Sequence, residues 1–251
     1  MSSEGSLTPP PGYASAVPFD REAHRGLGAL AGFRFAAGLH AIYITAQEFF
    51  RAATDYPIVF FSPEPGQWLP LALTGLTAGQ NLFVDESGAW RPASYVPAYV
   101  RRYPFCTAAV SAEAGTEPQF AVYVDPSGLR MPTDPAEAFV DSSGNSTATW
   151  VARERLIREM ESARMVTEVF AARLHELSLL EAFEAHAQPV RGTPMLIKGL
   201  FRVSEEKLND LPGDAVKGLM ARGELSRIYA HLMSLDNFTT LLDLHASLAA
   251  T

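Results

Sequence analysis

The sequence predicts an α+β fold, with a β-rich N-terminal half packed against a mainly helical C-terminal half. Short apolar runs rich in β-branched and aromatic residues dominate the first 145 residues, as is typical of strands. Beyond that point the apolar residues recur at intervals of three and four, which indicates amphipathic helices. The content of 47% hydrophobic and 19% charged residues is ordinary for a folded chain and excludes global disorder.

We expect a flexible leader at residues 1–18, a β-rich part at 19–145 and a helical part at 146–251. The leader is polar and proline-rich, and it lacks the basic and apolar regions of a secretion signal. A strand or hairpin is predicted to return near residues 190–203. A chain of 251 residues is long enough to bury its two main parts as one compact unit.

In the β-rich part the apolar pattern predicts four strands, at residues 56–61, 68–76, 81–85 and 119–125. Thr45 and Glu48 have the spacing of a capping box, in which the threonine hydroxyl accepts a backbone N–H and the glutamate reaches back. This pair predicts a short helix over residues 46–54. Polar Asp-X-X-Gly sequences predict turns at residues 85–88 and 125–128.

The helical part begins with a predicted helix over residues 150–177, whose apolar residues share one face. A strand is expected at residues 194–203. Ser204, followed by two glutamates, favours a helix start, because acids stabilise the positive end of the helix dipole. Two further helices are predicted, at residues 224–235 and 237–248.

Bulk charge and cysteine content exclude several classes of function. The formal net charge is −8, from 20 Lys+Arg and 28 Asp+Glu, which argues against nucleic-acid binding. No apolar run reaches the length of about 18 to 20 residues that a membrane span requires, so we expect a cytoplasmic protein. The single cysteine, Cys106, excludes an intrachain disulfide and a cysteine-based zinc cluster.

The common catalytic and cofactor motifs are absent. The sequence has no nucleophile elbow and no phosphate-binding P-loop. The glycines at residues 26–32 do not follow a predicted strand, as a dinucleotide loop must. His175 and Glu176 begin like a zinc motif, but Leu179 stands where the second histidine is needed. We therefore predict no cofactor and no metal, and the catalytic residues of any activity stay unknown.

The densest stretch of the sequence is YVPAYVRRYPF, residues 95–105. Pro97 suits the first turn of a helix, and Pro104 disfavours helical geometry at the residue before it. The two prolines therefore predict a short helix between them. One interpretation is that its aromatic face packs in the core while its arginines pair with acids such as Asp85 or Glu86.

The second interpretation is a recognition surface, because tyrosine and arginine are enriched at binding hot spots. Paired guanidinium groups can also bind a carboxylate or phosphate in a bidentate manner. The residues of this candidate binding site are Tyr95, Tyr99, Arg101, Arg102 and Tyr103.

Several blocks of the sequence resemble the bacterial SapC family, which is named for a gene associated with surface-layer protein. The blocks are YPIVF (56–60), NLFVDESGAWRPASYVPAYVRRYPF (81–105), KGLFRVSEEKLNDLP (198–212) and GELSRIYAHLMSLDNF (223–238). The resemblance implies a role in producing, exporting or assembling cell-surface protein. It does not imply identity with the peptide-transport permease of the same name, which spans the membrane.

Three functions follow from these observations. The first is a soluble accessory or adaptor protein that binds a peptide or protein partner, linked to surface-layer or outer-membrane protein production. The alternative is an enzyme acting on a peptide or small molecule, with catalytic groups contributed by distant segments. The third is a structural subunit of a surface layer. The sequence leaves the partner and the oligomeric state open.

Overall fold

The computed structural model describes residues 7–110, 119–187 and 195–248. The chain forms two compact units, each made from two separate segments. Unit 1 comprises Met1–Phe35 and Ala98–Glu161, and unit 2 comprises Ala36–Pro97 and Ser162–Thr251. The predicted α+β class is confirmed. The expected boundaries near residues 18 and 145 stay a prediction.

The described residues form ten strands and seven α-helices. The strands are β1 (Val17–Pro18), β2 (Gly28–Ala29), β3 (Ala41–Tyr43), β4 (Ile58–Phe61), β5 (Leu69–Leu73), β6 (Phe105–Val110), β7 (Gln119–Val124), β8 (Leu129–Arg130), β9 (Leu180–Ala187) and β10 (Met195–Val203). The helices are α1 (Phe49–Ala52), α2 (Ala98–Arg101), α3 (Ala148–Glu176), α4 (Glu205–Asn209), α5 (Gly213–Ala221), α6 (Glu224–Ser234) and α7 (Asn237–Leu248).

Unit 1 is built on a three-stranded antiparallel sheet in the order β1-β7-β6, and β2 pairs with β8 beside it. The strand predicted at residues 119–125 is confirmed as β7. Aromatic rings fill the core: the centroid of Phe105 lies 4.8 Å from that of Phe139 and 5.2 Å from that of Trp150, both edge to face. Edge-to-face ring pairs of this kind stabilise a core by more than the burial of their apolar area alone.

Unit 2 contains a five-stranded antiparallel sheet in the order β3-β5-β4-β10-β9. The strands predicted at residues 56–61, 68–76 and 194–203 are confirmed as β4, β5 and β10. β10 forms a hairpin with β9, which lies before the residues 190–203 where a strand or hairpin was expected. The register of that hairpin shifts between Ile197 and Leu200. Gly199 lies in the shift with a φ of +79°, a conformation that glycine adopts without steric cost.

The predicted capping box is present in altered form. The Glu48 carboxylate accepts the Thr45 N–H at 2.8 Å, as expected. The Thr45 hydroxyl donates to the same carboxylate at 3.0 Å and caps no backbone N–H. Helix α1 covers only Phe49–Ala52, which is shorter than the predicted 46–54.

The strand predicted at residues 81–85 is wrong. Among the described residues only Val84 forms a β-bridge in this segment, to Trp90. The side chain of Asn81 donates to the Ala36 carbonyl at 3.0 Å and accepts the Phe83 N–H at 2.9 Å. One bond is local and the other reaches a distant segment, and both occupy backbone groups with an asparagine amide, which mimics a backbone partner.

Helix α3 confirms the long helix predicted over residues 150–177. A buried threonine, Thr167, interrupts its apolar face: the hydroxyl donates to the Ala163 carbonyl at 2.6 Å and accepts the Ala46 N–H at 2.8 Å. In the described part of the chain no helix, α3 included, has the length and apolar character needed to cross a bilayer.

Helix α6 is fixed to the sheet of unit 2 by two buried polar side chains. His231 Nε2 accepts the N–H of Val203 at 3.0 Å, and Ser234 Oγ accepts the N–H of Ile58 at 2.9 Å. The imidazole is therefore neutral, with its proton on Nδ1. Burial lowers the pKa of His231 to about 4.

This depressed pKa predicts a loss of stability in mild acid. The unfolded chain takes up the His231 proton near pH 6.5, whereas the folded protein resists it down to about pH 4. The free energy of unfolding should therefore fall by up to about 3 kcal/mol as the pH drops through this window. Urea unfolding at several pH values measures it.

The His231→Gln variant should lose this part of the pH dependence, although it is less stable throughout. His40→Gln alters an exposed histidine and serves as the control. An equal pH dependence in the wild type and His231→Gln would contradict the assignment.

Candidate functional site

The stretch of residues 95–105 is divided between the two units, since residues 95–97 belong to unit 2 and the rest to unit 1. The predicted short helix between the prolines is confirmed as α2, which has a single turn. Pro97 directly precedes it. Four of the five predicted site residues therefore lie in unit 1, and Tyr95 does not.

Tyr95 belongs to a hydrogen-bond network of unit 2. Its hydroxyl donates to Glu48 Oε1 at 2.9 Å, and its N–H donates to Asp55 Oδ2 at 2.9 Å. Its carbonyl accepts the hydroxyl of Tyr56. These three bonds give Tyr95 a structural role in unit 2.

Tyr99 faces the interior of unit 1 and is only 5% exposed. Its hydroxyl donates to the Pro11 carbonyl at 2.7 Å. The guanidinium carbon of Arg102 lies 4.7 Å from the centre of the Tyr99 ring, a cation–π distance. Burial raises the pKa of Tyr99 to about 12, and the positive charge of Arg102 opposes that shift.

The remaining tyrosine, Tyr103, joins an aromatic cluster that also contains Tyr13, Phe35 and Tyr99. The rings of Tyr103 and Phe35 stack with their centroids 3.7 Å apart. Tyr13 meets the other three rings edge to face at centroid distances of 5.1–6.2 Å. The sequence interpretation missed Tyr13 and Phe35, although Tyr13 stands out as a lone aromatic residue after three prolines.

Tyr13 is a buried member of the cluster. Its hydroxyl donates to the Phe105 carbonyl at 2.7 Å, and burial raises its pKa while the charge of Arg102 opposes the rise. The next residue, Ala14, donates its N–H to Asp125 Oδ2 at 2.7 Å. Two bonds thus hold the chain before β1 against the sheet of unit 1.

Three arginines, Arg101, Arg102 and Arg153, form what we call the arginine cluster. Arg153 donates to the carbonyls of Arg101 and Tyr103, the latter at 3.2 Å. Burial lowers the pKa of Arg153, Tyr13 opposes this shift, and the charge of Arg101 adds to it. Arg101 itself is exposed at the end of α2. Positive charge is therefore concentrated at one place in an acidic chain.

Arg102 has no carboxylate partner among the residues that the structure describes. Its Nε is buried and donates to no acceptor there. The Asp85 carboxylate, considered as a partner in the packing interpretation, instead accepts the N–H groups of Ser87 and Ala89. Arg102 is thus half-buried, oriented by Tyr99, and not neutralised by an acid.

The site offers no evident nucleophile or metal centre. Cys106 is buried, and burial raises the pKa of its thiol, so the reactive thiolate is disfavoured. Across residues 7–110, 119–187 and 195–248, no three side chains of His, Cys, Asp or Glu gather as metal ligands would. The arrangement is suited to binding an anion.

A family model described as SapC matches residues 19–241 of the 251-residue chain. The match includes α2 and the arginine cluster, and it starts after Tyr13. No curated protein and no solved structure matches the chain significantly.

A tight contact beneath Tyr103 gives a prediction about the cluster. A Cβ added at Gly128 would lie 2.6 Å from Pro104 Cβ and 2.6 Å from two atoms of the Tyr103 ring. Gly128→Ala should therefore displace the ring and destabilise the protein by about 1–3 kcal/mol, measured by urea unfolding.

The matched control is Gly213→Ala, where an added Cβ meets no atom within 4 Å. This substitution at the start of α5 should be neutral or slightly stabilising, because alanine favours helices over glycine. If both substitutions changed the free energy of unfolding equally, the close packing of Tyr103 against Gly128 would not be important for stability.

Proposed function

Because the chain belongs to the SapC family, we propose that it is an accessory or adaptor protein in the production of surface-layer or outer-membrane protein. In this role it binds a peptide or protein partner through the arginine cluster. The observation that carries the proposal is Arg102, a guanidinium oriented by Tyr99 and not paired with a carboxylate in the described residues.

The chemistry of the partner follows from the guanidinium group. A planar guanidinium binds carboxylates in a bidentate manner, with charge-assisted hydrogen bonds. The cation–π contact with Tyr99 limits the rotamers of Arg102, so less entropy is lost when a ligand binds. An acidic side chain or a C-terminal carboxylate of a peptide supplies the complementary charge.

The charge of the whole chain favours a local acidic group over an extended polyanion. The net charge of −8 repels nucleic acid, whereas the arginine cluster attracts a carboxylate over a Debye length of about 8–10 Å. A short acidic segment of a partner protein fits both constraints.

Charge reversal tests this proposal. Arg101→Glu combined with Arg102→Glu should weaken binding to octapeptides with two central glutamates by at least about tenfold, because hydrogen bonds to charged groups contribute about 1.5–3 kcal/mol. Amidated peptides with glutamine at the same positions should bind weakly to both proteins. Fluorescence anisotropy measures the affinities, and circular dichroism checks the fold.

Arg155→Glu combined with Arg158→Glu is the matched control, because it reverses two exposed arginines of the same unit. Arg155 pairs with Glu159 and Arg158 pairs with Glu154 on the helix surface. Such exposed i,i+4 ion pairs contribute little to stability. The control should bind as the wild type does. If both double variants bind equally, or if the wild type does not prefer the glutamate peptides, the proposal fails.

A further inference from the structure

The chain before β1 lies over part of the proposed site. We call residues 7–14, LTPPPGYA, the N-terminal strap. Its proline-rich portion ends in a turn, in which the Tyr13 N–H donates to the Pro10 carbonyl at 3.0 Å. Gly12 makes that turn with a φ of +85°. The turn directs Tyr13 into the aromatic cluster, where it is 7% exposed.

The contacts of the strap resemble those by which aromatic surfaces bind proline-rich peptides. Proline lacks an N–H donor, so such peptides present carbonyl groups to tyrosine hydroxyls and place side chains between aromatic rings. Here Tyr99 donates to the Pro11 carbonyl at 2.7 Å, and the Tyr13 ring packs among Phe35, Tyr99 and Tyr103.

Much of the proline-rich portion faces solvent. Thr8, Pro9, Pro11 and Gly12 are exposed, while Leu7 and Pro10 are partly buried. The strap also lies outside residues 19–241, which the family model matches, whereas Tyr99 and Arg102 lie inside them. The family model therefore matches the surface but not the strap that covers it.

We propose that the surface formed by Tyr99, Tyr103 and Phe35 is a binding site for a proline-rich peptide segment that ends in an aromatic residue, and that residues 7–13 occupy it as an intramolecular ligand. This inference deepens the proposed function and rests on it, because the partner then supplies a proline-rich segment beside its acidic group. Tyr13 also lies close enough to Arg102 for that charge to oppose the burial-driven rise in the pKa of Tyr13, so the strap and the arginine are neighbours.

A tethered ligand competes at an effective concentration of about millimolar, so a peptide added in solution meets strong competition. The probe is the fluorescein-labelled, amidated peptide LTPPPGYA, which carries no carboxylate. The test protein is the full-length chain with residues 7–13 replaced by glycine and serine. It should bind the probe at least about tenfold more tightly than the wild type does.

Tyr99→Phe in the strap-replaced protein removes the donor to the proline carbonyl. The affinity for the probe should fall by about two- to tenfold, the range expected for a neutral hydrogen bond. The matched control is Tyr95→Phe, since that hydroxyl donates to Glu48 in unit 2. The control should leave the affinity unchanged.

The proposal is overturned if the folded strap-replaced protein prefers LTPPPGYA no more than its reversed sequence, or if Tyr99→Phe has no effect on the affinity. If strap replacement prevents folding, the proposal is tested instead by amide hydrogen exchange in the wild-type protein. A probe concentration of about 10 mM should accelerate exchange of the Ala14 N–H, and unchanged exchange overturns the proposal.

The two proposals fail separately. The amidated probe has no carboxylate, so its failure to bind leaves carboxylate recognition by the arginine cluster standing. Conversely, if charge reversal leaves the binding of glutamate peptides unchanged, that result contradicts carboxylate recognition. The proline-binding surface would still be tested by the LTPPPGYA probe.

Discussion

The cation–π contact between Arg102 and Tyr99 is the interaction on which the candidate site depends. A half-buried guanidinium without an acid would ordinarily be unfavourable, because removing charge from water is costly. The ring of Tyr99 offsets part of this cost with its electron-rich face, 4.7 Å from the guanidinium carbon. Tyr99 is itself held by its bond to Pro11, so the orientation of the charge depends on the N-terminal strap.

Elements with strong apolar periodicity could be predicted from the sequence. β7 and α3 appear where alternation and helical spacing predicted them. β6 and β9 could not be found as readily: FCTAAV contains two adjacent alanines, and LEAFEAHA is rich in alanine and glutamate, which are poor strand formers. Their strand conformation comes from pairing with neighbours distant in sequence. The opposite error occurred at residues 81–85, where side-chain bonds of Asn81 override the apolar pattern.

The candidate site was predictable only in part, for a similar reason. The packing interpretation expected one aromatic face on the short helix, but α2 has one turn and Tyr95 precedes it. The helical period therefore does not extend over the rings of Tyr95, Tyr99 and Tyr103. Tyr13 and Phe35 join the cluster through tertiary contacts, which local sequence does not encode. The two arginines could be singled out from the sequence, because their residue type and adjacency are visible there directly, and their role in binding stays a prediction.

Strap and ligand are linked thermodynamically wherever they contact the same groups. If a ligand binds Arg102 only when Tyr13 has moved, its apparent association constant is the intrinsic constant multiplied by the fraction of molecules in which the strap has moved. By reciprocity, the bound ligand weakens the strap by the same factor. The bonds of Tyr13 to Phe105 and of Ala14 to Asp125 therefore set the threshold for binding, although neither bond involves the ligand. A partner that supplies both an acidic group and a proline-rich segment would overcome this threshold, because it replaces the contacts that the strap gives up.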